Sequence, residues 1–121
     1  MIRAVTKEEV EHLLVAGKKS GLCFCSSTEY FGYFHNDELV AMTGLIVYAN
    51  KLVFKNSFVL EAHRRTGIYR KLFNYRVEVA RSKGIGKIEA TCTRMSLPMW
   101  ISEQAEIIAE YKYYTKVRIT L

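Results

Sequence analysis

The segment Val59-Leu-Glu-Ala-His-Arg-Arg-Thr-Gly-Ile-Tyr-Arg-Lys-Leu72 joins a β-prone run to a helical one through a short basic loop with one glycine. Upstream, Leu52 to Leu60 reads as a strand, apolar and aromatic at most of its positions. Downstream, between Gly67 and Lys83, the apolar residues Ile68, Leu72, Tyr75 and Val79 fall four, three and four apart, which makes one helical face. Such a strand–loop–helix switch constrains the fold strongly, because the helix must bury its stripe against the sheet it has just left.

The remaining chain supplies that sheet. Met1 to Val5 is a short apolar strand candidate. Thr6 with Glu9 three residues on forms a capping-box pattern, and Val10, Leu13 and Leu14 follow at helical spacing. Gly17 and Gly21 close that helix. Tyr30 to Phe34 and Leu39 to Tyr48 read as strands around an Asn36-Asp37 turn, and Ala49-Asn50-Lys51 is a second turn before Leu52. After Gly84, placed where a helix cap belongs, Ile85 to Thr93 reads as a strand. Ser96 and Pro98 open a short helix through Trp100 to Glu103. Ile107 to Tyr113 and Val117 to Leu121 close the chain as two strands around Tyr114-Thr115-Lys116. The expected order is strand, helix, three strands, helix, strand, helix, two strands. A meander followed by a strand–helix–strand crossover implies an α/β (α+β) mixed sheet with helices on its faces, in one domain spanning residues 1–121.

Composition supports an ordered domain of this size. Half of the 121 residues are hydrophobic, with one proline and seven glycines, enough for a core and too few breakers for a long linker. Met1 to Val5 runs straight into Lys7, Glu8 and Glu9, unlike a signal peptide, and no apolar run approaches ~18 residues, so a cytoplasmic protein with no membrane span is expected. Cys23, Cys25 and Cys92 are odd in number and irregular in spacing, which excludes a disulfide framework. Cys-x-Cys with one distant Cys is a weak metal pattern. Three buried free thiols and no metal are expected.

The net charge of +6 favours anionic partners. The amides of a helix's first turn lack intrahelical partners, and the helix dipole adds partial positive charge there. Gly67 would let backbone approach a ligand closely, and Arg64, Arg65, Arg70 and Lys71 crowd the same point. Basic residues at a helix N-terminus oppose the dipole, so their clustering is easier to explain with a phosphate bound there. Nucleic acid is disfavoured: the aromatics do not interleave with the basic residues, and no RNA- or DNA-binding motif matches.

Arg64-Arg-Thr-Gly67-Ile68-Tyr69 resembles the acyl-CoA signature of the GNAT (N-acetyltransferase) superfamily, Arg/Gln-x-x-Gly-x-Gly/Ala. Val59-Leu-Glu-Ala-His-Arg64 is similar to that family's upstream Val-x-Pro-x-Tyr-Arg pattern, and Ala80-Arg-Ser-Lys-Gly84 resembles its Ala-x-x-x-Gly helix end. The resemblance covers roughly Leu39 to Leu121; the N-terminal third fits the element order without a motif. It implies a GNAT-like fold with acetyl-CoA as cosubstrate. Its cofactor-binding residues would be Val59, Arg64, Arg65, Thr66, Gly67, Ile68, Tyr69 and Arg70. The loop amides would take the pyrophosphate. The pantetheine would lie in a V-shaped gap between splayed strands, pairing with backbone near Val59, and an amine acceptor would enter from the other side.

The chain departs from the family pattern in three places. Tyr69 stands where the signature has a second small residue, and Glu61 where it has Pro. Near the C-terminus Gln104-Ala105 replaces Gly-Phe, which puts Trp100 at the position of the family's Tyr acid; an indole cannot protonate a leaving thiolate. The catalytic residues stay unknown. Glu29, Glu61, His63, a water held by Asn56 and Ser57, the tyrosines Tyr111, Tyr113 and Tyr114, and Cys92 as a nucleophile are the candidates, with packing the better account of the cysteine and the tyrosines. His12 and His35 are expected to be structural or exposed. Two functions follow: an acetyltransferase acting on an amine, or a non-catalytic GNAT-fold module that binds CoA or a protein partner. The oligomeric state is open, a homodimer among the options.

Overall fold

The computed structural model describes residues 1–121. Its elements are β1 (Ile2–Ala4), α1 (Lys7–Ala16), β2 (Glu29–His35), β3 (Glu38–Val47), β4 (Leu52–Val59), α2 (Ile68–Ser82), β5 (Lys87–Cys92), α3 (Leu97–Ser102), β6 (Glu106–Glu110) and β7 (Thr115–Thr120). This is the order that the sequence predicts. The strands form one seven-stranded mixed sheet, ordered β1-β2-β3-β4-β5-β7-β6. The β4–β5 pairing is parallel; β1–β2, β2–β3, β5–β7 and β6–β7 are antiparallel. No helix is long and apolar enough to cross a membrane. The chain divides into two compact units, Met1–Ile46 with Lys55–Arg76, and Val47–Phe54 with Val77–Leu121.

In the first unit the capping box at Thr6 forms in both directions. The Glu9 amide donates to Thr6 Oγ1 at 3.3 Å, and the Thr6 amide donates to Glu9 Oε1 at 3.1 Å. The β2–β3 hairpin closes through Asn36 (φ 50°) and Asp37 (φ 65°), both left-handed, as a two-residue turn matching the twist of its strands requires. One core cluster gathers Val10 and Leu13 of α1 with Tyr30, Leu39, Met42 and Phe58. A second gathers Ile68 and Leu72 of α2 with Val40, Ala41 and Val59. Adjacent strand residues point to opposite faces, so Phe58 and Val59 in separate clusters put α1 and the start of α2 on opposite sides of the strands.

The buried face of α2 differs from the expected one. Ile68 and Leu72 are buried, but Tyr75 and Val79 are half-buried, and the inward line runs through Phe73, Arg76, Val77 and Ala80. Arg76 is 1% exposed. Its Nη1 donates to the carbonyl oxygens of Gly44 at 3.1 Å and Lys55 at 3.4 Å, so the cation satisfies backbone acceptors on two strands. Burial pushes the guanidinium down to about 9, against the charge and hydrogen bond of Tyr69, which act upward. It therefore stays charged at neutral pH.

In the second unit the start of β4 pairs with β5 (Leu52 with Ile88, Val53 with Glu89), and β5 pairs with β7 along its whole length. Trp100 of α3 is 2% exposed, its ring edge-on to Phe54 at 5.3 Å. Glu89 is buried among three cations. Arg118 Nη2 lies 3.0 Å from Oε2, while Lys51 and Lys116 approach Oε1 at 3.3 and 3.7 Å. Gly84 (φ 68°) ends α2 as expected, with the Ile85 amide donating back to the Ala80 carbonyl at 2.9 Å.

Two expectations are corrected. The first closing strand stops at Glu110 rather than Tyr113, and Thr115 and Lys116 belong to β7 instead of the turn. Tyr111 to Tyr114 form the turn because the Tyr111 amide bonds the Tyr114 carbonyl at 2.9 Å and their rings meet at 4.9 Å, while Thr115 and Lys116 find partners on β5. Cys92 is buried, but Cys23 and Cys25 are exposed. Their loop is anchored by backbone. The Cys25 amide donates to the Tyr30 hydroxyl at 2.9 Å, and that hydroxyl donates to the Cys23 carbonyl at 3.3 Å, while the Cys23 thiol accepts from Asn56 Nδ2 at 3.9 Å.

Candidate functional site

The loop after β4 is a run of tight turns. Glu61 to His63 make a 3-10 turn, Arg64 returns to extended backbone, and Arg65 (φ 63°) and Gly67 (φ 85°) are left-handed. Thr66 Oγ1 donates to the His63 carbonyl at 2.6 Å and pins the turn from inside. The first i→i−4 bond of α2 runs from the Lys71 amide to the Gly67 carbonyl at 3.1 Å, so the amides of Gly67 and Ile68 lie ahead of the helical ladder. A Cβ built on Gly67 would meet nothing within 4 Å. The glycine is therefore required by its φ, and the space in front of it is open. A non-glycine residue at positive φ such as Arg65 carries a conformational cost of about 1–2 kcal/mol. Such strain is characteristic of functional loops, where neighbouring amides are turned toward a common point.

The basic side chains around this loop do not act alike. Arg64, though exposed, folds back onto β4: its Nε donates to the Val59 carbonyl at 2.9 Å and its guanidinium lies 5.4 Å from the Phe58 ring. It thereby ties the end of β4 to the loop and occupies one acceptor position of Val59, the residue expected to pair with pantetheine. Lys71 turns to Tyr33, with Nζ 3.3 Å from the hydroxyl. Arg70 lies 6.0 Å from the Phe73 ring. Arg65 and Thr66 are exposed on the loop, Ile68 is anchored in the core, and Val59 is buried. Thus Val59, Arg64, Arg65, Thr66, Gly67 and Ile68 form one continuous structure at the head of α2. Tyr69 and Arg70 follow in its first turn, half-buried.

Tyr69 is the informative departure from the small residue of the signature. It acts by charge and a side-chain hydrogen bond on the buried Arg76, two turns along the same helix. Sequence reasoning missed Arg76. The signal was present, since Ile68, Leu72 and Arg76 are spaced by four, but a cation on an apolar face reads as a break in the stripe.

The catalytic candidates separate clearly. Trp100 packs inside the second unit and offers no proton, which removes it as a replacement for the family's acid. Burial pushes the Cys92 thiol up to about 11, against a hydrogen bond from Ser96 that acts downward, so it is not a thiolate at neutral pH and not a nucleophile. Glu29 and Glu61 are exposed. His63 is half-buried, its ring 5.5 Å from that of His35. Asn56 Nδ2 donates to the Cys23 carbonyl at 3.0 Å, and Ser57 Oγ shares a hydrogen bond of 2.6 Å with buried Thr43. Asn56 and Ser57 of β4 are thus fixed by neighbours. Tyr111, Tyr113 and Tyr114 are exposed.

Among curated proteins none matches the sequence. Solved structures match in fold. Ard1 from Thermoplasma volcanium superposes with a TM-score of 0.82 at 12% identity, covering 100% of this chain and 97% of that one. A GNAT family acetyltransferase from Elizabethkingia anophelis with acetyl-CoA bound gives 0.68 at 16% identity, covering 100% and 97%. The PaiA N-acetyltransferase from Thermoplasma acidophilum in complex with coenzyme A gives 0.71 at 16% identity, covering 95% and 73%. The model of the Acetyltransferase (GNAT) family matches residues 6–99, taking in α1 and β2, where the sequence showed no motif. With that match over most of its length, and with the strand, loop and helix of the acyl-CoA signature in place, the chain belongs to the GNAT acetyltransferase family.

Proposed function

We propose that this protein is an N-acetyltransferase, residues 1–121 acting as one GNAT domain that moves an acetyl group from acetyl-CoA to an amine. The observation that carries the reading is the loop at the head of α2, with left-handed Arg65 and Gly67 and open space before the Gly67 backbone. Val59, Arg64, Arg65, Thr66, Gly67, Ile68, Tyr69 and Arg70 hold the cofactor. The amides ahead of the helical ladder take the pyrophosphate, Arg65 supplies charge, and Arg64 keeps the strand end and the loop in register. The pantetheine runs along the strand that ends at Val59. The amine nitrogen then attacks the thioester carbonyl carbon, the C–S bond breaks, and CoA leaves with the proton lost from nitrogen. Positioning two reactants contributes about 7–11 kcal/mol in favourable cases, so turnover does not require a strong acid. A cytoplasmic location fits the reaction, since acetyl-CoA is an intracellular metabolite.

A non-catalytic module that binds CoA or a protein partner is the second reading, and buried Trp100 at the expected acid position favours it. One experiment separates the two: a CoA-release assay with acetyl-CoA and a mixed panel of amines, run beside CoA titration. Release that depends on an amine establishes transfer. CoA binding without release for any amine establishes the module. Absence of CoA binding by folded protein sinks the transferase and leaves only a module for a protein partner.

A further inference from the structure

Amides aimed at a phosphate work only if their helix sits at a fixed place on the strands beneath it. Ile68 and Leu72 hold the head of α2 by apolar contact with Val40, Ala41 and Val59. Apolar contact is non-directional and tolerates small slides and rotations; hydrogen bonds do not. Arg76 supplies the directional part. It stands four residues beyond Leu72 and is 1% exposed, and its Nη1 donates to the carbonyl oxygens of Gly44 on β3 and Lys55 on β4.

Tyr69 and Arg76 are seven positions apart, which on an α-helix is about 10.5 Å along the axis and about 20° around it. Helical side chains lean toward the N-terminus, so the long Arg76 stem reaches back toward the first turn. There Tyr69 acts on it by charge and a side-chain hydrogen bond, for which the hydroxyl is the only polar group a tyrosine has. The Tyr69 ring packs against the cluster of Val40, Ala41, Val59, Ile68 and Leu72. A tie therefore runs from the residue after Ile68, through a phenol and a guanidinium, to the backbone of two strands, all within the first unit.

We propose that Tyr69 and Arg76 are positioning residues for the acyl-CoA, the pair locking the first turn of α2 to β3 and β4 so that the Gly67 and Ile68 amides hold their aim at the pyrophosphate. The role rests on the cofactor reading of that loop. It gives one cause to two departures. A large residue stands at the small position of the signature, and a cation stands on an apolar stripe, because each is the other's partner. A small residue at 69 would take an oxygen from a buried guanidinium, and an apolar residue at 76 would take a donor from the Tyr69 hydroxyl. The pair acts through the backbone of the turns it spans, so Tyr69 holds the cofactor by fixing the amides.

The test is a double-mutant cycle of Tyr69→Phe and Arg76→Met, with Arg76→Lys as the conservative variant. It is read by calorimetric titration with CoA at a temperature where urea melts show each variant to be folded. Tyr69→Phe keeps the ring and is expected to weaken CoA at least fivefold. Arg76→Met should weaken it as much or more, and Arg76→Lys less, since an ammonium still donates to a carbonyl. In the Arg76→Met background Tyr69→Phe should add less than twofold, because its partner is already gone. If Arg76→Met does not fold, Arg76→Lys takes its place in the cycle. A pair that only stabilises the fold would lower the melting temperature and leave folded Tyr69→Phe with the parent's CoA affinity, which overturns the proposal. Independent, multiplying losses in the double variant overturn it too. Hydrogen exchange without ligand reads the tie separately. The Lys71 amide, bonded to the Gly67 carbonyl in the first rung of α2, should exchange at least fivefold faster in Tyr69→Phe, with the Ile88 amide of β5 unchanged. Failure of the parent to bind CoA sinks the cofactor reading and this role with it, whereas an unchanged Lys71 amide in a variant of a CoA-binding parent sinks the tie alone.

Discussion

Gly67 combines two demands that a substitution would break separately. Its φ of 85° strains any side chain, and the open space in front of it would receive one. Gly67→Val therefore carries a backbone cost of about 1–2 kcal/mol, more for a β-branched residue, and also projects methyl groups where a phosphate would approach. The fold should survive, because nothing lies within 4 Å for the new side chain to clash with. The expected result is a small fall in melting temperature with CoA affinity down tenfold or more. Gly67→Ala should show most of the stability loss and less of the affinity loss. Equal CoA affinity in Gly67→Val and the parent would remove the loop from the cofactor site. Arg64 and Arg65 show the same separation of roles: one is folded onto the Val59 carbonyl, the other is presented outward.

At the scale of elements, the sequence announced starts, stops and turns well because those signals are local. Thr6 with Glu9, Asn36-Asp37 and Gly84 each needed only their neighbours, and each appears where expected. Burial of polar groups was illegible for the opposite reason. Arg76 is held by carbonyls of Gly44 and Lys55, and Glu89 by Lys51, Lys116 and Arg118, partners far off in sequence. Trp100 misled because a motif register puts a residue at a position without saying which way its ring turns. The Glu89 cluster makes a testable statement about β5 and β7. Burial alone would raise the Glu89 carboxyl, but the hydrogen bonds of Arg118 and Lys51, with their charges, prevail and hold it below the ordinary 4.5. A carboxyl whose pKa is lower in the folded state contributes stability above the unfolded value and loses it as pH falls through the folded one. Glu89→Gln should thus cost most at neutral pH, where three cations lose their counter-charge. The gap between parent and variant should narrow below about pH 4. Urea melts from pH 3 to 7 would show it, and a gap that stays constant with pH would mean that Glu89 acts by packing alone.

For the whole molecule, the decisive quantity is how folding responds to cofactor. The family match and the acyl-CoA complexes among its structural neighbours make acetyl-CoA the first ligand to try. A ligand that binds only the native state stabilises it by RT ln(1 + [L]/Kd), about 2.7 kcal/mol at a hundredfold excess over Kd. For a domain near this size, that corresponds to a rise in melting temperature of roughly 10 °C or more. The loop holding left-handed Arg65 and Gly67 should gain most from the ligand, since its strain is then offset by phosphate contacts. Hydrogen exchange should accordingly slow at the amides of Gly67 and Ile68 when CoA is added. Dephospho-CoA, which retains the pyrophosphate, should keep most of the shift, whereas pantetheine, which lacks it, should lose most of it. Pantetheine matching CoA in the melt would place the binding energy on the strand that ends at Val59 and leave the loop at the head of α2 without its assigned ligand.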